Sequence, residues 1–184
     1  LIPSDAMLDR QPILEGLMLR LRPLCRDDWD ALFAVASDPL IWEQHPAHDR
    51  WQEPVFRCFF EEGLAGGGAL VIQERATGRV IGSSRYDHQR ALPGEVEIGW
   101  TFLARDHWGG ATNAELKRLM IDHALRAQEA VIFLVGETNL RSRRALEKIG
   151  ARLTDRIDEA EMAGQPVRHL VYRISRADWA QAAG

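Results

Sequence analysis

Three stretches of the chain hold residues whose types and spacing suit chemistry. In the first, "HWGGATN" (His107 to Asn113), a glycine pair separates the strand-like run "EVEIGWTFLA" from Leu116, Leu119 and Met120 at helical spacing. A helix N-terminus offers unpaired backbone N–H groups and a partial positive charge, and glycines leading into it let a phosphate approach closely. Glycine pairs also make plain turns, so this stretch alone leaves both uses open. It is neither the GxGxxG of a dinucleotide fold nor a P-loop with its Lys-Ser/Thr, so a dinucleotide or an NTP is not expected.

The second stretch, "NLRSRRALEKIGA", follows the apolar run "AVIFLVG". Ser142, Ala145, Leu146 and Ile149 recur at i, i+3, i+4 and i+7 and so share one helix face, turned toward the sheet. Asn139 stands at the helix start. A strand that ends on a polar Asn, followed by an inward Ser, is what a ligand at the strand's carboxyl end would meet. The third is Glu97, alternating along its strand away from Val96, Ile98 and Trp100. It is a candidate base, directly or through water, or else a solvated carboxylate on an exposed strand face.

Other polar residues carry weaker readings. His123 falls on the apolar stripe of its helix and reads as a satisfied core histidine. Asp87, His88 and His107 are loop residues with no partner visible in sequence. Arg141, Arg143 and Arg144 suit either an anion or a solvated helix face. Trp42, His45 and Trp51, in "IWEQHPAHDRW", either contact a substrate or pack their own loop; aromatics beside Glu43 and Asp49 would suit a cationic amine.

The elements that must position these residues follow from periodicity. "LMLRLRPL" alternates Leu17, Leu19 and Leu21 inward, a half-buried strand. Trp29, Leu32, Phe33 and Ala36 mark a helix that Pro39 stops, and "EPVFRCFFEEGL" is a second helix, opened by Pro54 and ended by Gly66 to Gly68. "ALVIQE" and "RVIGSSRY" are strands around a Thr77-Gly78 turn, with a third from Glu95 to Ala104. A helix from Thr112 to Gln128 precedes the strand Ala130 to Gly136, whose continuous apolar run suits a doubly covered position. The short helix closed by Gly150 follows, then strands near Arg152 to Ile157 and Arg168 to Ser175 around "MAGQP". The order β-α-α-β-β-β-α-β-α-β-β predicts a mixed α/β sheet, with residues 1–16 as an N-terminal extension and 17–184 as a single domain. Met7 is a candidate start, with "LIPSDA" ahead of it.

At 184 residues, 46% of them hydrophobic and 27% charged, the chain is long enough to bury one core. Its net charge of −4 argues against nucleic-acid binding. No run approaches the ~18 apolar residues of a membrane span, and the N-terminus lacks a charged-then-apolar signal. Cys25 and Cys58 have no metal-ligand spacing, so no metal is expected; both read as buried thiols, which suits a reducing cytoplasm.

Taken together, "EIGWTFLARDHWGGATNAELKRLM" and "NLRSRRALEKIGA" carry a resemblance. The chain resembles the GNAT superfamily of acyl-CoA-dependent N-acetyltransferases, in particular the branch that includes the ribosomal-protein N-terminal acetyltransferases, from about Met18 to Ser175. The first motif is similar to the family's strand, pyrophosphate loop and helix; the second is similar to its N-x-x-S/A…(K)-x-G-F/A pattern. The resemblance implies a splay between the parallel strands Glu95–Ala104 and Ala130–Gly136, with acetyl-CoA in the gap as co-substrate and an amine as acceptor. It implies that backbone groups around Phe102 and Leu103 pair with the pantetheine arm. The N–H groups of Trp108, Gly109, Gly110, Ala111, Thr112 and Asn113 would hold the pyrophosphate, and Asn139 and Ser142 would line the far arm. Trp42, His45 and Trp51 would frame the acceptor, and a homodimer is left open.

The chain departs from the family twice. Trp108, Ala111 and Asn113 stand where the loop usually reads Q/R-x-x-G-x-G/A, and the Ala111 methyl must avoid the phosphate. Leu146 stands in the place of the Tyr that many members use as general acid toward the leaving thiolate. Ser142 is the nearest hydroxyl on that face and is expected to serve instead, with Glu97 assisting the amine. The alternatives are a CoA-binding module with weak or lost catalysis and an acyltransferase that uses a longer acyl-CoA.

Overall fold

A computed structural model describes residues 7–182. They form an eight-stranded mixed sheet in the order β1-β2-β3-β4-β5-β6-β8-β7. β1 (Leu14–Glu15), β2 (Leu19–Pro23), β3 (Ala69–Glu74), β4 (Val80–Asp87) and β5 (Glu95–Leu103) run antiparallel in succession. β6 (Ala130–Gly136) lies parallel to β5 and antiparallel to β8 (Gln165–Ser175), which pairs with β7 (Arg152–Met162). On one face, α1 (Trp29–Ala36) and α3 (Glu53–Gly66) pack an aromatic core of Phe56, Phe59 and Phe60 against Ala69, Val71 and Phe102. On the other, α4 (Ala111–Ala124) and α5 (Leu140–Lys148) cover Ile81, Val96, Ile98, Val131 and Phe133 through Leu116, Met120 and Leu146. Short α2 (Pro39–Trp42) and the C-terminal α6 (Arg176–Ala182) complete the chain.

The mixed α/β architecture and the order of the main elements agree with the sequence reading. Local differences have physical causes. Leu17 points outward at 89% exposure, because Gly16 N–H donates to the Leu19 carbonyl and the inward alternation begins only at Leu19. The residues read as an extension include β1, which joins the sheet edge; residues 1–6 lie outside the described residues. β7 and β8 are longer than the apolar pattern suggests, since their outer halves make a hairpin whose turn, Ala163-Gly164, has positive φ at both positions. Cys25 and Cys58 are exposed rather than buried; Cys58 lies on the side of α3 away from Phe56, Phe59 and Phe60. His123 is only half-buried and satisfied, its Nε2 bonding the Asp9 carbonyl at 2.7 Å.

One carboxylate ties the sheet edge to α4. Glu115 accepts from the backbone N–H groups of Leu17, Met18 and Leu19 at 2.7, 2.9 and 2.9 Å. Removing it strands these donors, so Glu115→Ala is expected to cost about 3 kcal/mol in denaturant unfolding. A loss near zero would show that water replaces the carboxylate.

Candidate active site

β5 and β6 pair only from Glu95↔Ala130 to Glu97↔Ile132. Beyond that point β5 bulges: Arg85 faces Gly99 and Ser83 faces Phe102, so three steps on β5 oppose two on β4, and Trp100 takes a left-handed φ of 52°. A bulge bends its strand, and here β5 leaves β6 at the bulge. The result is a cleft of about 1250 Å³ between the two strands, closed at its ends by the α4 N-terminus, α5 and the loop of residues 43–52.

The α4 end of the cleft offers open backbone donors and cations. Gly109 has φ 71°, the left-handed region where a side chain would be strained, while Gly110 at φ −111° precedes the helix with no side-chain cap. A Cβ added at either glycine would meet nothing within 4 Å. The first-turn N–H groups of α4 therefore face open space beside a small-residue turn. Arg141, Arg144 and Lys148 of α5 line the same region, and the Arg141 guanidinium stacks 3.8 Å from the Trp108 ring centroid. These features fit the diphosphate of a nucleotide-like cofactor, and the open edge of β5 beyond Glu97 fits a long amide-bearing arm.

Phe102, Leu103, Trp108, Gly109, Gly110, Asn113, Asn139 and Ser142 all line the cleft. The Leu103 carbonyl already accepts from the Trp108 indole at 3.0 Å, which fixes the loop against β5. Ala111 and Thr112 lie outside its walls; Thr112 is buried, its hydroxyl 3.0 Å from His107 Nδ1. His107 is fixed on its other side by Glu74 at 2.9 Å, so this loop residue has a structural partner. Asn139 is the N-cap of α5, accepting from the Ser142 N–H at 3.3 Å. The Ser142 hydroxyl makes no hydrogen bond among the described residues. Arg143 turns away to Tyr172 and the Glu137 carbonyl.

On the acceptor side, Trp42 and His45 line the cleft, whereas Trp51 is 38% exposed and stands outside it. Trp42 is buried and donates its indole N–H to the Ala36 carbonyl at 2.8 Å, so it packs its loop as well as forming a wall. His45 Nδ1 accepts from the Ala47 N–H; burial, then the nearby charge of Arg50, pushes its pKa down to about 3.

Glu97 is not the exposed residue its alternation suggests. It is 1% exposed, and Arg90, from the β4–β5 connection, folds over it at 2.6 and 3.1 Å. Burial raises its carboxyl above the ordinary range, with Arg90 pulling the other way. Glu97 is absent from the cleft walls, but its carboxylate lies beside Gly99, which lines them: a Cβ at Gly99 would sit 3.0 Å from Glu97 Oε1.

Two titratable residues escaped the sequence reading. His169 of β8 lies opposite Gly136 in register, 5% exposed on the cleft wall, with Nδ1 unpartnered and 3.7 Å from Asp158. Burial, then Arg90, lowers its pKa, so the ring is neutral at pH 7. Lys117 of α4 reaches the floor of the splay, its Nζ 3.4 Å from the Thr101 hydroxyl and 5.5 Å from the Phe133 ring centroid, and burial brings it to about 8. Each is isolated in sequence and acquires its neighbours only through the strand order.

Residues 18–152, well over half of the chain, match the acetyltransferase (GNAT) domain family. The chain belongs to the GNAT acetyltransferases. The chemistry of that domain is acyl transfer from an acyl-CoA to an acceptor. Solved structures agree in fold. A GCN5-related N-acetyltransferase from Brucella melitensis superimposes with a TM-score of 0.79 at 20% identity, over 94% of this chain and 82% of the other. An acetyltransferase described as putative, from T. thermophilus, gives 0.74 at 26% identity, over 92% of each chain. RimJ from Mycobacterium smegmatis, solved in complex with CoA-disulfide, gives 0.69 at 21% identity, over 90% and 86%. No curated protein is similar enough in sequence to match this chain. Among the described residues of this GNAT domain there is no metal-binding cluster of His, Cys, Asp and Glu, and no helix long and apolar enough to cross a membrane.

Proposed function

We propose that this GNAT domain transfers an acetyl group from acetyl-CoA to a primary amine, a protein N-terminus or a small molecule, by direct attack in the cytoplasm. The observation that carries the reading is the splay itself: a cleft with a helix N-terminus that has no side-chain cap at one end and an aromatic, histidine-bearing wall at the other. Bound acetyl-CoA supplies the activated acyl group. Gly109, Gly110 and the N–H groups through Asn113 hold its pyrophosphate, and Asn139 and Ser142 line the arm near the thioester. The amine nitrogen attacks the carbonyl carbon, the C–S bond breaks, and one proton leaves the nitrogen as the thiolate gains one. Ser142, whose hydroxyl has no hydrogen-bond partner among the described residues, assists the departing thiolate in place of the tyrosine that Leu146 replaces. Glu97 takes the amine proton through water beside Gly99. The resemblance to the ribosomal-protein branch, with RimJ among the structural neighbours, supports a protein N-terminus as one acceptor to try.

A second reading of proton removal has its own observation. Both Glu97 oxygens are held by Arg90, whereas the buried, neutral His169 lines the cleft and neither of its ring nitrogens hydrogen-bonds a described residue, Nδ1 lying buried 3.7 Å from Asp158. A Glu97 base places the acidic limb of kcat/KM above the ordinary 4.5, and a His169 base places it below 6.5; these ranges overlap, so variants decide. The acting base is the residue whose Gln variant loses the acidic limb along with roughly 100-fold or more in rate. Retention of the limb in both variants would exclude both. Free-thiol release from acetyl-CoA over a panel of amines, with the acylated product weighed by mass spectrometry, tests the function as a whole. CoA binding without amide formation on any amine would favour a binding module; faster turnover of a longer acyl-CoA would favour that acyl donor.

A further inference from the structure

Several half-buried arginines have acids to meet. Arg22 pairs with Asp28, Arg90 with Glu97, and Arg156 and Arg173 share Glu95. Arg50 and Arg85 do not. Each is 9% exposed, and neither forms an ion pair with any described residue. The Arg50 guanidinium makes no hydrogen bond among the described residues. Arg85 donates one N–H to the Phe59 carbonyl and leaves Nε buried without a partner. Asp49, Glu62 and Asp87 attract the two arginines only from a distance.

The two guanidiniums share one aromatic ring. They lie 4.6 and 4.3 Å from the centroid of the same ring, Phe59, and repel each other enough that Arg85 contributes to lowering Arg50. Neither arginine lines the cleft itself, but each stacks on a ring that does: Arg50 is 5.2 Å from the Trp42 ring and Arg85 5.4 Å from the Trp100 ring. A buried charge without a counter-charge is costly, and two around one ring cost more. This positive pair comes from the loop before α3 and from β4, not from the turn of Gly109 and Gly110 or from α5. The aromatic surroundings suit a flat anion that a guanidinium fork can grip with two parallel bonds.

We propose that Arg50 and Arg85 recognise an anionic group, a carboxylate, carried by the acceptor on the same molecule as the reacting amine. The inference deepens the acetyl-transfer reading and rests on it for the word "acceptor". The carboxylate comes either from a free amino acid or from an acidic side chain at the start of a peptide.

The test uses the full chain and matched acceptors: a free amino acid, the same compound with its carboxylate capped as the amide, a peptide beginning with Asp or Glu and its Asn or Gln counterpart, and an aminoalkyl phosphate. Carboxylate-bearing acceptors should exceed their capped partners roughly 100-fold in kcat/KM, mostly through KM, because an unfilled charged site rejects the neutral analogue. Arg50→Gln should erase that preference while leaving CoA affinity and turnover of the neutral amine unchanged; Arg50→Lys should restore part of it. Arg85→Gln should do the same, and Arg50→Gln carries the test alone if circular dichroism shows Arg85→Gln unfolded. Preference for the free amino acid or for the peptide identifies the source, and preference for the phosphate would overturn the carboxylate assignment. Equal rates for charged and capped acceptors, unmoved by Arg50→Gln, would overturn the site. Calorimetry with succinate in the presence of CoA separates this idea from the reaction. Succinate binding that Arg50→Gln abolishes upholds the site even if no amine is acetylated, and no succinate binding with no charge preference removes it.

Discussion

Replacing Gly110 with glutamate is expected to weaken CoA binding more than about 100-fold, the cost of several kcal/mol for like charges at close range. The backbone argument makes this a clean substitution. Gly110 sits at φ −111°, a conformation open to any residue, and a Cβ there meets nothing within 4 Å, so the fold has no reason to change. Gly109, at φ 71°, would add strain to the same experiment and is the poorer choice. The new carboxylate would enter the space that the first-turn N–H groups of α4 face, and it would compete with phosphate for them. Calorimetry of CoA against the parent and Gly110→Glu, with thermal unfolding as the control, checks the expectation. Unchanged affinity at unchanged Tm would mean that the phosphates bind elsewhere.

Ser142→Ala should lower kcat about 100-fold, the usual scale for one positioned proton-transfer group. The variant keeps the α5 cap, because Asn139 accepts from the Ser142 backbone N–H and not from its hydroxyl. Loss of the hydroxyl should leave CoA affinity near the parent value, since a bond that strengthens as the thiolate departs belongs to the transition state. Steady-state kinetics beside calorimetry separates the two effects. A fall in CoA affinity with kcat preserved would make Ser142 a wall of the cofactor site and leave the thiolate to backbone donors.

The parts of this architecture legible in sequence are those fixed by local pattern. The apolar run at β6 announced a covered strand, the glycine pair marked the β5–α4 turn, and the spacing of Ser142, Ala145, Leu146 and Ile149 set the face of α5 that lines the cleft. Alternation misled at Glu97, because β5 is covered on both faces: Arg90 closes over the side that pattern alone assigns to solvent. It misled again at Leu17, where a turn precedes the strand. The bulge at Trp100, which opens the cleft, has no marker in residue type, since a Trp occupies a left-handed position that glycine usually takes. His169, Lys117, Arg50 and Arg85 were invisible for a different reason. Their significance lies in partners present or missing across the fold, and chain neighbours carry no record of that.

The central claim is that an acyl-CoA lies in the splay between β5 and β6. A crystal structure of the protein grown with CoA tests it most directly. The account predicts the pyrophosphate within hydrogen-bond distance of the backbone N–H groups at the start of α4, and the arm running along the free edge of β5 beyond Glu97 toward Ser142. CoA bound at any other surface, with the splay empty or closed, would contradict it.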